Sequence, residues 1–177
     1  ESLRNTGVLE KDKRLEAVRY SIATIFNGYS DFKVQRNPKS FVINKGEEKL
    51  DFNQLSDGEK SYMALIFDIV RKMAMTHPSL ENPLNGDGIV LIDEVDLHLH
   101  PSWQREVIDK LKQLLPNCQF FISTHSPHVV SSVNLKTGDK LILITNGEAI
   151  EFMGNSYGRE SNIVLADIFK MDSLRNP

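Results

Sequence analysis

The run Gly88-Ile89-Val90-Leu91-Ile92, closed by the adjacent acids Asp93-Glu94, constrains this chain most. An unbroken apolar stretch of strand length is expected of a parallel strand buried on both faces. Residues 102–115 follow with Trp103, Val107, Ile108, Leu111, Leu114 and Leu115 on one helical stripe, and Pro101 suits the first turn. Phe120-Phe121-Ile122 is a second buried strand. Strand, helix and strand in so short a space form a βαβ crossover, so the two strands run parallel. In open parallel sheets, ligands bind outside the carboxyl ends of the strands. Asp93-Glu94 and Ser123-Thr124-His125-Ser126-Pro127 both fall there, one strand apart.

The rest of the chain is organised around that unit. The spacing of Leu15, Val18, Ile22, Ile25 and Phe26 predicts a helix over 8–27, ended by Asn27-Gly28. Short strands are expected at 32–36, 41–45 and 48–52, the last two joined as a hairpin at Lys45-Gly46-Glu47. A helix over 58–76 carries Leu65, Ile66, Ile69, Val70 and Met73 on one face, and 77–87 is a loop. Strands near 140–145 and 148–152 meet at Asn146-Gly147, and a last helix covers about 160–170. The fold class is therefore α/β: a mainly parallel sheet core with flanking helices and a small antiparallel hairpin region.

Three motifs carry chemistry. One carboxylate of Asp93-Glu94 can hold Mg²⁺, which takes oxygen ligands and keeps several waters, while the other orients or deprotonates an attacking water. A solvated acid pair at a strand end is the plainer reading. In Leu55-Ser56-Asp57-Gly58-Glu59-Lys60-Ser61, Ser56 and Glu59 have capping-box spacing. The same helix N-terminus presents amides and a positive dipole end to an anion, and Gly58 leaves room for a phosphate at the backbone. Both readings stand. His125 can hydrogen-bond a phosphate or a catalytic water.

Composition narrows the partners. A formal net charge of −3 gives no whole-chain case for nucleic acid. The single cysteine, Cys118, cannot form an internal disulfide and reads as a core thiol in a reducing, cytoplasmic setting. No apolar run approaches a membrane span. The chain opens at Glu1 directly into a charged helix-like segment, which reads as a fragment or as the later half of a longer protein. His98, His100, His125 and His128 cluster in sequence near the acids, so a metal-dependent hydrolase with His98, His100 and Asp93 as ligands is a rival. That rival leaves the Ser56–Glu59 motif without a role.

Taken together, the residues resemble a known family. LSDGEKS resembles the signature motif of ABC-type ATPases, and GIVLIDE resembles their Walker B strand with its catalytic glutamate. VDLHLHP looks like the D-loop of RecF- and SMC-like members, and FISTHSP like the switch-histidine segment. The four motifs lie in the family's order and cover about residues 52–130. Tyr157-Gly158-Arg159-Glu160-Ser161-Asn162 also resembles the C-terminal part of bacterial ATPases grouped as predicted ATP-binding proteins involved in virulence, whose relatives serve in Septu-type and retron-associated anti-phage systems.

The resemblance implies a P-loop NTPase fold of the ABC type and ATP with Mg²⁺ as cofactors. It makes Asp93 the Mg²⁺ ligand through water, Glu94 the general base and His125 the group that senses the γ-phosphate. Ser56, Asp57, Gly58 and Glu59 would face ATP held by a second copy in a head-to-tail dimer, with Asp96 at the interface, and hydrolysis would gate a nuclease or other effector. The chain departs from the pattern in two places. Asp57 stands where many members have Gly. No G-x-x-x-x-G-K-[ST] is present, and neither Lys45-Gly46 nor Gly138-Asp139-Lys140 fits it. The whole of 1–177 is thus expected to be the C-terminal part of one ATPase domain, with 1–54 a helix plus antiparallel strands and 55–177 the catalytic lobe. An N-terminal Walker A lobe would complete it. A non-catalytic module, a degenerate ATPase half that scaffolds partners, is the second reading.

Overall fold

A computed structural model describes residues 13–36, 39–154, 156–160, 163–164 and 168. Two compact units divide the chain. One contains the described residues up to Leu55 with Met63–Gly86, and the other contains Ser56–Tyr62 and the described residues from Asp87 onward.

In the first unit, α1 (Lys13–Ile25) leads into β1 (Tyr29–Arg36), β2 (Lys39–Lys45) and β3 (Glu48–Asp51). The strands form an antiparallel sheet in that order. The expected hairpin is present, with Lys45 opposite Glu48 and Gly46 at a φ of +61° in the first turn position, as a II′ turn requires. β1 begins three residues earlier than its alternation suggested. Its pairing slips between Ser30 and Lys33, where Asp31 adopts a φ of +58°, so a bulge hides the start of the strand from a period-two reading. α2 (Asp57–Thr76) supplies the buried Ile66, Val70 and Met73, and these form the core with Ile22, Ile25, Phe26, Ile43 and Leu84. Phe67 and Phe32 meet at a centroid distance of 5.2 Å. The part of the first helix expected at 8–12 lies outside the described residues.

In the second unit, β4 (Gly88–Ile92) pairs in parallel with β5 (Cys118–Ile122), Leu91 beside Phe121 and Ile92 beside Ile122. The crossover between them is helical, but broken into α3 (Pro101–Gln104) and α4 (Val107–Leu114), where a single helix over 102–115 was expected. The Glu106 amide bonds the Trp103 carbonyl at 3.0 Å, a tighter three-residue turn that steps the axis before α4 starts. The apolar stripe survives the step, since Val107, Leu111, Leu114 and Leu115 are fully buried. After β5 come α5 (Pro127–Ser132), β6 (Ile142–Thr145) and β7 (Glu148–Glu151). Asn146 and Gly147, at φ +52° and +80°, make the I′ turn of the β6–β7 hairpin. Leu141, Leu143 and Phe152 pack on Val130, Val164 and Ile168. Ile163 and Val164 are helical, and most of the helix expected at 160–170 lies outside the described residues.

One expectation about β4 needs correction. Its apolar run was read as buried on both faces, yet Ile89 is 68% exposed and Leu91 76% exposed. Phe121 shares that face and is 52% exposed. Among the described residues nothing covers this side of the pair, so only the Val90–Ile92 side is packed.

Candidate functional site

The parallel pairing brings the two carboxyl ends together. The Ser123 amide donates to the Ile92 carbonyl at 2.9 Å, and the Val95 amide donates back to the Ser123 carbonyl at 3.1 Å. The ladder therefore continues one residue past each strand and aligns Asp93-Glu94 with Ser123-Thr124-His125. The Ser123 hydroxyl donates to Asp93 Oδ1 and accepts from the Glu94 amide, the latter at 2.8 Å. One hydroxyl thus orients one acid by its side chain and the next by its backbone. Glu94 itself is exposed and sits at a φ of +49°, a left-handed conformation unfavourable for a residue with a Cβ. Such strain concentrates at functional sites.

The chain then coils through two tight turns, Leu97 amide to Glu94 carbonyl at 2.9 Å and Leu99 amide to Asp96 carbonyl at 3.0 Å. Buried Val95 and Leu99 pin this loop. Asp96 takes the Thr124 hydroxyl on Oδ1, and the His125 amide donates to the same oxygen at 3.3 Å. His125 follows β5 at the sheet end and is exposed.

The start of α2 belongs to the same unit. Ser56 and Glu59 form the capping box: the Ser56 amide donates to Glu59 Oε2 at 2.6 Å, and the Glu59 amide to Ser56 Oγ at 3.3 Å. Glu59 is buried by this role, while Asp57 points to solvent beside Lys60 at 3.6 Å. Gly58 has a nearer steric reason than a phosphate. A Cβ built on it would lie 2.8 Å from the His98 carbonyl oxygen, so the helix start and the 95–100 loop touch backbone to backbone. His98 has a φ of +63°, which turns that carbonyl toward the helix. Ser56, Gly58, Glu59, His98, His100 and Trp103 line an open pocket of about 550 Å³. Tyr62 packs on Trp103 at a centroid distance of 5.5 Å, and burial, followed by the Glu106 charge, pushes its phenol far above the usual range.

This geometry tests the rival metal site. His100 Nδ1 caps α3, meeting the Ser102 hydroxyl at 2.8 Å and its amide at 3.3 Å. Among the described residues no three His, Cys, Asp or Glu side chains converge on a metal position, so His98, His100 and Asp93 are not assembled as zinc ligands. A lone carboxylate such as Asp93 does fit Mg²⁺, which needs one or two protein ligands and fills its shell with water and phosphate. Sequence reasoning valued the 123–127 segment for its histidine and missed Ser123 and Thr124. The signal was available: hydroxyls at a strand end, one strand from acids, are hydrogen-bond partners for them. Among the described residues no helix is long and apolar enough to cross a membrane.

The fold is similar to that of SMC ATPase head domains. It matches a solved structure described as "Structural biochemistry of ATP-driven dimerization and DNA stimulated activation of SMC ATPases" with a TM-score of 0.59 at 19% identity, covering 79% of this chain and 83% of that one. The SMC head domain from Thermotoga maritima matches with a TM-score of 0.52 at 21% identity, over 77% of this chain and 45% of that one. The chain belongs to the family described as "AAA domain, putative AbiEii toxin, Type IV TA system", whose model matches residues 4–131. The Retron Ec83 probable ATPase of Escherichia coli is 39% identical over 159 residues, 90% of this chain and 29% of that protein. The Retron Vc95 probable ATPase of Vibrio cholerae serotype O1 biovar El Tor is 41% identical over 160 residues, covering 87% of this chain and 30% of that protein. The Septu protein PtuA of Bacillus thuringiensis is 27% identical over 151 residues, covering 81% and 38%. The chain spans about a third of the length of these relatives.

Proposed function

We propose that this chain is the signature, Walker B, D-loop and switch-histidine part of a cytoplasmic ABC-type ATPase. In this reading an N-terminal Walker A lobe of the full-length protein completes the domain, and two copies close head to tail around ATP. The observation that carries the reading is the juxtaposition of Asp93, Glu94 and the Ser123–His125 segment at the ends of two parallel strands, in a chain with an SMC-head fold. The uncovered face of Ile89, Leu91 and Phe121 supports the completing lobe, because an apolar patch on a sheet core is an interaction surface.

The residues divide the work. Asp93, held by the Ser123 hydroxyl, offers the metal-facing carboxylate. Mg²⁺, when bound, neutralises charge on the phosphate oxygens. Glu94, its amide fixed by the same hydroxyl, takes the proton of the attacking water. His125 meets the γ-phosphate from the neighbouring strand end. Ser56, Asp57, Gly58 and Glu59 present the start of α2 to the nucleotide of the other copy, where the helix dipole favours an anion. Asp96 lies beside that interface. Closing and opening of the dimer then gate a nuclease or other effector, in anti-phage defence by analogy with the retron and Septu relatives.

The test is the solution mass of the full-length protein with ATP and Mg²⁺. Glu94→Gln is expected to accumulate as a dimer, since ATP closes it and is not consumed. Ser56→Arg, which fills the space before the helix start, is expected to stay monomeric. A Glu94→Gln protein that never dimerises with ATP contradicts the head-to-tail reading.

A further inference from the structure

One side chain outside every motif joins the loops of the site. Gln104, at the end of α3, is half-buried. Its Nε2 donates to the Asp96 carbonyl at 3.2 Å and to the Leu99 carbonyl at 2.9 Å. Its Oε1 accepts from the Ser126 hydroxyl at 2.7 Å. Ser126 is buried, and its oxygen also caps α5, accepting from the His128 amide at 3.1 Å and the Val129 amide at 3.4 Å. The amide orientation is fixed by chemistry, because two carbonyls demand the nitrogen. Loop 95–100 is therefore bonded to the 123–126 segment three times: at its start by the Val95 amide on the Ser123 carbonyl, then through the Asp96 carboxylate, and at its far end through Gln104.

Residue type matters here. Only an amide with two donors and an acceptor satisfies two carbonyls and a hydroxyl at once. Asn is a methylene too short. Glu would aim lone pairs at two carbonyl oxygens, and Leu would take this donor from the Leu99 carbonyl and leave the Asp96 carbonyl with the Leu99 amide alone. The same loop carries the His98 carbonyl that abuts Gly58, so the bonded path from Ser126 through Gln104 ends in a close backbone approach to the start of α2.

We propose that Gln104 is a positioning residue that makes loop 95–100 and the switch segment 123–126 move as one body, passing a displacement at His125 to the Asp96 loop and the Ser56–Glu59 helix start of the same chain. Its consequence for turnover rests on the ATPase reading above, whereas the mechanical coupling stands on the hydrogen bonds alone.

The experiment compares full-length wild type with Gln104→Leu and Gln104→Met by hydrogen exchange and by steady-state ATP hydrolysis. Two variants are used so that a folding failure in one leaves the other. Amides of Leu97, Leu99, His125 and Ser126 are expected to exchange together about tenfold faster, with α4 and β5 unchanged, as loss of uncharged hydrogen bonds implies. The kcat is expected to fall about tenfold while KM for ATP stays within about twofold, since Gln104 reaches the Asp96 loop through backbone carbonyls and bonds no side chain assigned to the nucleotide. Faster exchange in 95–100 with wild-type protection at 125–126 overturns the coupling. A uniform rise through α4 and β5 also overturns it, because Gln104 would then be ordinary packing. A wild-type protein that hydrolyses no ATP removes the ATPase reading, and the exchange result still decides the coupling.

Discussion

Ser123 shows how much of this site turns on a single hydroxyl. Donating to Asp93 and accepting from the Glu94 amide, it fixes two acids that would otherwise share a flexible strand end. Gly58 makes the complementary point about absence. Alanine is the better helix former by up to about 1 kcal/mol, but its methyl would meet a backbone oxygen at 2.8 Å, and neither backbone can swing aside. Gly58→Ala is therefore expected to destabilise the full-length protein by about 1–3 kcal/mol, read from denaturant melts. A variant as stable as wild type would mean the 95–100 loop yields freely. The acids, the histidine and the capping box were all legible as residues. The Gly58–His98 contact was not, because it joins positions forty residues apart through a left-handed backbone that no periodicity encodes.

At the scale of elements, strong local chemistry carried the reading. Lys45-Gly46-Glu47 and Asn146-Gly147 both specify primed turns, and both hairpins have the register those turns dictate. The crossover helix was legible as a stripe but not as two pieces, because its step at Arg105-Glu106 has neither proline nor glycine to mark it. α2 offers a titration test. Asp68 lies beside Lys72 at 2.6 Å and Arg71 at 2.9 Å, and bonds from Lys72, then Arg71, lower its pKa. A depressed carboxylate stabilises the fold above its unfolded pKa and loses that contribution as pH falls through the folded value. The group is nearly half-exposed, so screening keeps the effect small. Asp68→Asn is expected to cost about 0.5 kcal/mol or less at neutral pH. That difference should vanish in acid, where both proteins carry a neutral side chain at this position. An undiminished difference at low pH would place the effect outside the ion pairs.

For the whole molecule, the open face of the β4–β5 pair is the most informative feature. Leu91 is 76% exposed in this chain, and truncating such a residue ordinarily changes stability by no more than about 0.5 kcal/mol. If a completing lobe covers the face, Leu91→Ala in the full-length protein is expected to cost about 2 kcal/mol or more, as for a core leucine. A negligible cost would remove the lobe from that surface. The apolar run of β4 announced a strand meant for burial, yet a sequence cannot state which segment supplies the cover. The same division runs through the proposed chemistry: the acids and the helix start are here, and in the proposed ATPase the Walker A grip on the phosphates comes from a completing lobe. The proposed ATPase is tested most directly by the turnover of full-length Glu94→Gln at saturating ATP and Mg²⁺. The rate is expected to fall about 10²–10⁴-fold with ATP still bound, the contribution of a general base. Hydrolysis at the wild-type rate in that variant would contradict the central claim.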